Sequence, residues 1–311
     1  MSDTTAQSAA KRNANATTQP HDHQKGPLLL RWLLPSLAVM LLGPLLALPI
    51  ASLEDPTGGP DATLLLSNAP VLGVAVLLVI GIVAAFGGAI TAKLTAPGTG
   101  RTFVGLCIAW AALRTGNSWR IFEMHGAGAA IPLAIEGVVV AAVGLAIAGL
   151  LSVGGGTHTP AAYKKDVRVA VGTGNAAIGI AIGVAAGIAG TVLVALDGAR
   201  GQCLAGGFFG ALLAAVAVHL ATPTLSTEQA RIRSIAAVAV LMIVGPLTVY
   251  AVPGGGEAAD AARSGTLVGP SLVQPLDWLV GIFLGVPTGL GWVGSVSEKA
   301  QQPSPRPRVA R

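Results

Sequence analysis

Between Arg101 and Arg114 the chain reads TFVGLCIAWAAL, twelve residues without Asp, Glu, Lys or Arg. Whether this stretch crosses a lipid bilayer decides the fold. It falls short of the ~18–20 residues that a spanning helix needs, and it reaches that length only if Arg114 lies inside the helix and the helix runs on to Trp119. On both sides of it the reading is plain. Charge-free runs cover 32–53, 62–92, 137–163, 169–196, 201–227, 234–256 and 278–297, and the shortest of these seven has 20 residues. Each is long enough to span.

Composition agrees with a membrane chain. Charged residues make up 11% of the 311, against roughly 25% in a soluble domain, and the mean hydropathy is +0.70. The 42 glycines and 20 prolines lie inside apolar stretches with no Gly-X-Y period, which excludes collagen and a low-complexity disordered chain. Cys107 and Cys203 also sit in apolar segments, so neither a disulfide framework nor a cysteine zinc site is expected. The net charge of +5 is spread over short loops and tails without interleaved aromatics. That pattern points away from nucleic acid and toward anionic lipid headgroups.

Loop charges decide the central stretch, because Lys and Arg in short loops concentrate on the cytoplasmic side. With eight spans and the N-terminus inside, 15 of the 19 basic residues fall in the cytoplasm, leaving Arg114, Arg120, Arg200 and Arg263 outside. If the stretch around Trp110 does not cross, the best division is 10 against 9. The expectation is therefore an all-α, polytopic bundle of eight membrane helices over 28–297 with both termini in the cytoplasm. It is flanked by a disordered polar tail over 1–27 and a basic, Pro-rich tail over 298–311. The polar stretch before the first span is too long for a cleaved signal peptide, so 32–53 is read as an uncleaved anchor in the cytoplasmic membrane. Pro35, Pro44 and Pro49 are expected to kink it.

Within the membrane, two helices carry glycine at every fourth position, Gly179, Gly183 and Gly187 in one and Gly281, Gly285 and Gly289 in the other. Each stripe reaches a polar residue one turn earlier, Asn175 and Asp277. Such stripes let helix backbones approach closely, although this glycine content alone yields about one such triple by chance. Ionisable residues at membrane depth are costly and are functional candidates by default. Arg114 and Glu136 fall at matching depths near the outer ends of adjacent helices. They are read as snorkelling to the interface, as a structural ion pair, or as a relay. Arg114, Glu136, Asp277 and Asn175 are thus the candidate substrate or ion-pair residues.

Other clusters carry less. Trp119 and Phe122 suit headgroup-level anchoring, and Arg120, Glu123 and His125 beside them lack any metal-ligand spacing. The Gly-rich loop over 154–160 before Lys164 and Lys165 lacks the Walker spacing. His21-Asp22-His23 is an isolated pair without a preformed site. No protease constellation occurs, no cofactor is implied, and no motif carries a family resemblance. Spans two to four and five to seven share a pattern that an inverted duplication would produce, as would generic Gly/Ala-rich hairpins. The sequence therefore favours a non-enzymatic membrane protein, structural or a subunit of a membrane complex. The alternative is a small-solute permease with helices broken at Pro246 and Pro287.

Overall fold

A computed structural model describes residues 28–154, 158–172, 174–251 and 257–301. Among these residues the chain is helical, with no strand. The long helices are α1 (Leu28–Ala51), α2 (Pro70–Leu94), α3 (Pro97–Ala112), α5 (Ala130–Gly154), α7 (Ala176–Val194), α8 (Arg200–Ala221), α9 (Thr227–Leu247) and α12 (Pro275–Gln301). Shorter pieces connect them: α4 (Ser118–His125), α6 (Pro160–Gly172), α10 (Ala258–Ser264), α11 (Gly269–Leu272) and two 3₁₀ turns. Six stretches, 70–94, 118–154, 176–194, 200–221, 227–251 and 275–296, are long and apolar enough to cross a membrane. The chain is a helical membrane bundle.

Local chemistry sets several boundaries. Proline opens α2 and α3 at the first turn, where its missing N–H is no loss. The α9 start is a capping box, in which Ser226 accepts the Gln229 amide and the Gln229 side chain accepts the Ser226 amide. α1 is helical through Pro35, Pro44 and Pro49, and α12 through Pro287, whereas α9 ends one residue after Pro246. Of the two expected breaks, only that at Pro246 coincides with a helix end. α12 also continues to Gln301, into the stretch expected to be tail.

The central stretch differs from expectation at both boundaries. α3 does not run on through Arg114 to Trp119. It starts earlier, at Pro97, includes Arg101, and stops at Ala112. Sixteen residues rise about 24 Å, yet the two ends of α3 lie at opposite ends of the bundle. Arg101 shares its surroundings with Tyr163, Glu228 and Arg231, while the Ala112 carbonyl accepts a hydrogen bond from Arg200. The segments 95–96, 158–172, 174–175 and 222–226 gather at the Arg231 end. The segments 52–69, 113–117, 195–199, 248–251 and 257–274 gather at the other, called here the Asp61 end.

The bundle centre is solid. Every residue from Gly269 to Phe283 is buried, and α12 is packed among α3, α5, α8 and α9. Both glycine stripes face neighbouring helices. Gly281, Gly285 and Gly289 lie against the α8 backbone at Gly207, Phe208 and Leu212, and Gly179, Gly183 and Gly187 lie against Thr222, Val218 and Leu241. A side chain at any of the first three would meet backbone, so helix approach there is limited by the glycines themselves. Phe122, read from sequence as a headgroup anchor, is fully buried; Trp119 is half-buried against Gly198.

Candidate functional site

Four acidic residues, Asp55, Asp61, Glu136 and Asp277, are buried near the Asp61 end of the bundle, and they are held differently. Asp277, in the first turn of α12, has no exposure. Its Oδ1 accepts from Arg200 Nη2 at 2.7 Å, and its Oδ2 accepts from Arg200 Nη1 at 3.0 Å and from the Gln274 amide at 3.0 Å. Arg200, the first residue of α8, also donates to the Ala112 carbonyl at 2.5 Å. The bidentate pair joins α8, α12 and the end of α3. Beside it, Gln274 Nε2 donates to the Gly116 carbonyl at 2.6 Å. This polar knot closes the bundle at the level where three helices end.

Glu136, in the second turn of α5, is 1% exposed. Its Oε2 accepts the Thr63 hydroxyl at 2.6 Å and the Leu65 amide at 2.9 Å. Its Oε1 is buried with no hydrogen-bond partner among the described residues. The donors come from the loop over 52–69, which dips into the bundle far enough to bury Thr63 and Leu64. α5 itself fits tightly against α9 here, since the next residue, Gly137, lies on the Met242 carbonyl.

That loop is fastened to α4 by two acid–base contacts. Asp55 Oδ2 lies 2.8 Å from His125 Nε2, and Asp61 Oδ2 accepts from Arg120 Nη1 at 3.3 Å. Asp61 Oδ1 also accepts the Asn117 amide at 3.1 Å. Burial alone would push the Asp55 carboxyl up. The Thr57 hydroxyl at 2.5 Å, the Thr57 amide and His125 outweigh it, holding Asp55 below its usual value. Arg120, whose guanidinium also lies over the Trp119 ring at 5.2 Å, and His125 are therefore engaged by the loop.

Of the four candidates from sequence, Glu136 and Asp277 are buried, whereas Arg114 and Asn175 are exposed. Arg114 lies beyond the end of α3 and does not pair with Glu136, whose hydrogen-bonded oxygen faces Thr63 and Leu65. The ion pair expected between those two helices is replaced by a loop-to-helix contact, because α3 stops two residues before Arg114 can enter the bundle. Asn175 stands at the start of α7 on the rim of a cleft of about 480 Å³ that also has Thr222, Thr224 and Arg233 on its walls. Arg233 is buried and donates to the Ala170 carbonyl at 2.8 Å. Arg231, buried as well, pairs with Glu228 and donates to Ser152 at 2.6 Å. Two arginines counted as cytoplasmic charges in the sequence are thus part of the interior, whereas Lys164, Lys165 and Arg168 are exposed on one face of α6. His21-Asp22-His23 lies outside the described residues.

Sequence reasoning missed Thr63 and Arg200. Thr63 was absorbed into the charge-free run 62–92, and the available signal was Pro70, which starts α2 and leaves the preceding residues as loop. Arg200 was counted only as an outer-loop charge. No protein-family model matches the chain, no curated protein is similar to it, and no solved structure matches it.

Proposed function

We infer that the chain is an eight-pass protein of the cytoplasmic membrane, with both termini inside, working as a non-enzymatic subunit or scaffold of a membrane assembly. Support for eight crossings comes from α1 and α3 joining the six long apolar stretches. α3 reaches from the Arg101 surroundings to the Arg200–Asp277 pair, and the charge count puts the Arg231 end in the cytoplasm. A short helix is accommodated by local thinning or by snorkelling flanks. The exposed cations of α6 at that end meet anionic headgroups.

The observation that carries the non-transport role is the buried α12. An unbroken buried run from Gly269 to Phe283 fills the axis where a broken-helix permease would place its substrate site. The test is to extract the full chain into native nanodiscs and, separately, to reconstitute it in proteoliposomes. A stoichiometric membrane partner without solute flux is the expected result. Solute flux by the purified chain alone would replace the subunit reading with the permease reading, and Glu136, a buried carboxyl with one unpartnered oxygen, is the observation that favours this second reading. Reporter fusions after residue 301 placed outside the cell would refute the orientation.

A further inference from the structure

The surroundings of Glu136 specify what it can bind. Both neighbours of Oε2 are donors, the Thr63 hydroxyl and the Leu65 amide, and the Thr63 oxygen itself accepts the Leu66 amide at 3.2 Å. Hard metal cations need several oxygen ligands, and this carboxyl offers one free oxygen, Oε1, with no further acceptor in hydrogen-bonding contact with it. A proton needs only one. Nor does a cationic side chain neutralise the group, because no ion pair to Glu136 is formed among the described residues.

We propose that Glu136 is a proton-binding site whose loaded form holds the 63–66 segment docked in the bundle, and whose proton release opens that segment to the outer surface. An ionised carboxylate buried without a counter-charge is several kcal/mol out of balance, whereas the neutral acid is compatible with this setting. Glu136 can ionise stably only by meeting water, and the segment hydrogen-bonded over it runs from Thr63 to Leu65. Leu64 is 1% exposed, with its backbone seated on Gly73. Opening therefore means lifting Leu64 off α2. The proton leaves Oε1 for solvent water, and no other bond is made or broken.

The elements packed around Glu136 bring no competing charge to it. Lys93 of α2, Arg101 of α3, the ionisable residues of α6, and Glu228, Arg231 and Arg233 of α9 all lie toward the Arg231 end. Asp277 of α12 is taken by Arg200. Within the loop, Glu54 is exposed, and Asp55 and Asp61 are held by His125 and Arg120. This inference goes beyond the subunit reading and holds whether or not a solute is carried.

The test uses the full chain in lipid nanodiscs. Infrared difference spectroscopy follows the carbonyl band of a protonated carboxyl, and hydrogen exchange follows the amides of 63–66, both across pH. With one proton released per opening, the opening equilibrium should rise about tenfold per pH unit above the transition, after correction for intrinsic exchange. In Glu136→Gln, whose amide oxygen still accepts from Thr63 and Leu65, the band should vanish and the segment should stay docked without pH dependence. A band that survives in Glu136→Gln, or loop exchange with the same pH dependence in both proteins, would overturn the proposal. Should Glu136→Gln not fold, Thr63→Val removes a hydrogen bond that only the docked form makes and should move the transition to lower pH; an unmoved transition counts against the site equally.

Discussion

The Arg200–Asp277 pair offers the sharpest test of how this bundle is closed. Asp277 has no exposure and takes three hydrogen bonds, two from Arg200 and one from the Gln274 amide. Arg200, with 13% of its side chain exposed, spends a further donor on the Ala112 carbonyl. Removing either partner strands a charge where water cannot replace what was lost, and such truncations cost about 3–5 kcal/mol. Arg200→Met and Asp277→Leu should each fall in that range, a loss of roughly two to three and a half powers of ten in the folding equilibrium. Combining the two removes both charges together. The double variant should then lie within about 1–2 kcal/mol of wild type, because apolar replacements of a buried pair are often neutral. The assay is a double-mutant cycle on the purified chain, unfolded reversibly in mixed micelles and followed by the fluorescence of Trp278, which is fully buried in the same turn. Two additive single losses, or a single loss below about 1 kcal/mol, would refute the reasoning, since the pair would then be no more than an interfacial contact.

Four further outcomes are expected. Gly207→Ala places a Cβ against the Asp277 backbone and should destabilise by about 1–3 kcal/mol. Gly291→Ala, with open space around it, should instead be neutral or stabilising by up to about 1 kcal/mol, both read from the same unfolding transition. The Asp55 clasp follows pH with a definite sign. Its carboxyl is held below the usual 3.8, so its contribution is complete above that value and is lost only as pH falls through the lower value reached in the fold. Limited proteolysis of the 52–69 loop should therefore stay slow as pH falls to about 4, and Asp55→Asn should make the loop labile even at neutral pH. Finally, a cysteine introduced at Leu113, which is exposed just past the end of α3, should react with an impermeant thiol reagent added outside intact cells. Labelling only after lysis would show that α3 does not cross.

The large outline was legible because it depends on local properties. All eight segments taken as spans contain a long helix, since runs of apolar residues without charges have only one way to satisfy their backbone in lipid. The glycine stripes faced neighbouring helices as their spacing suggested. Boundaries were less legible. α3 was expected to extend toward Trp119 but extends the other way, because Pro97 supplies a helix start and the charge of Arg101 is tolerated at the bundle end beside Glu228. The partners of the buried carboxyls were hidden for another reason. Thr63 lies 73 residues from Glu136 and Arg200 lies 77 from Asp277, and pattern reading along one chain carries no information about which distant loop fills which gap.

Glu136 and Asp277 share a chemical type, nearly complete burial and a place near the same end of the bundle. They differ in one respect, which is that Asp277 has a guanidinium and Glu136 has only the uncharged donors Thr63 and Leu65. Burial alone therefore does not separate a structural acid from a titrating one; the counter-charge does. A carboxyl gripped bidentately by a guanidinium has its geometry fixed by that partner, so its part is to brace helices. The consequence is a crossed pair of outcomes. Asp277→Leu should weaken the fold by several kcal/mol while leaving the pH dependence of 63–66 exchange in place wherever the protein is folded. Glu136→Gln should do the reverse, with little loss of stability and no remaining pH dependence. If both variants shifted stability and exchange in proportion, the two carboxyls would belong to one cooperative unit, and the distinction drawn from their hydrogen-bond partners would fail.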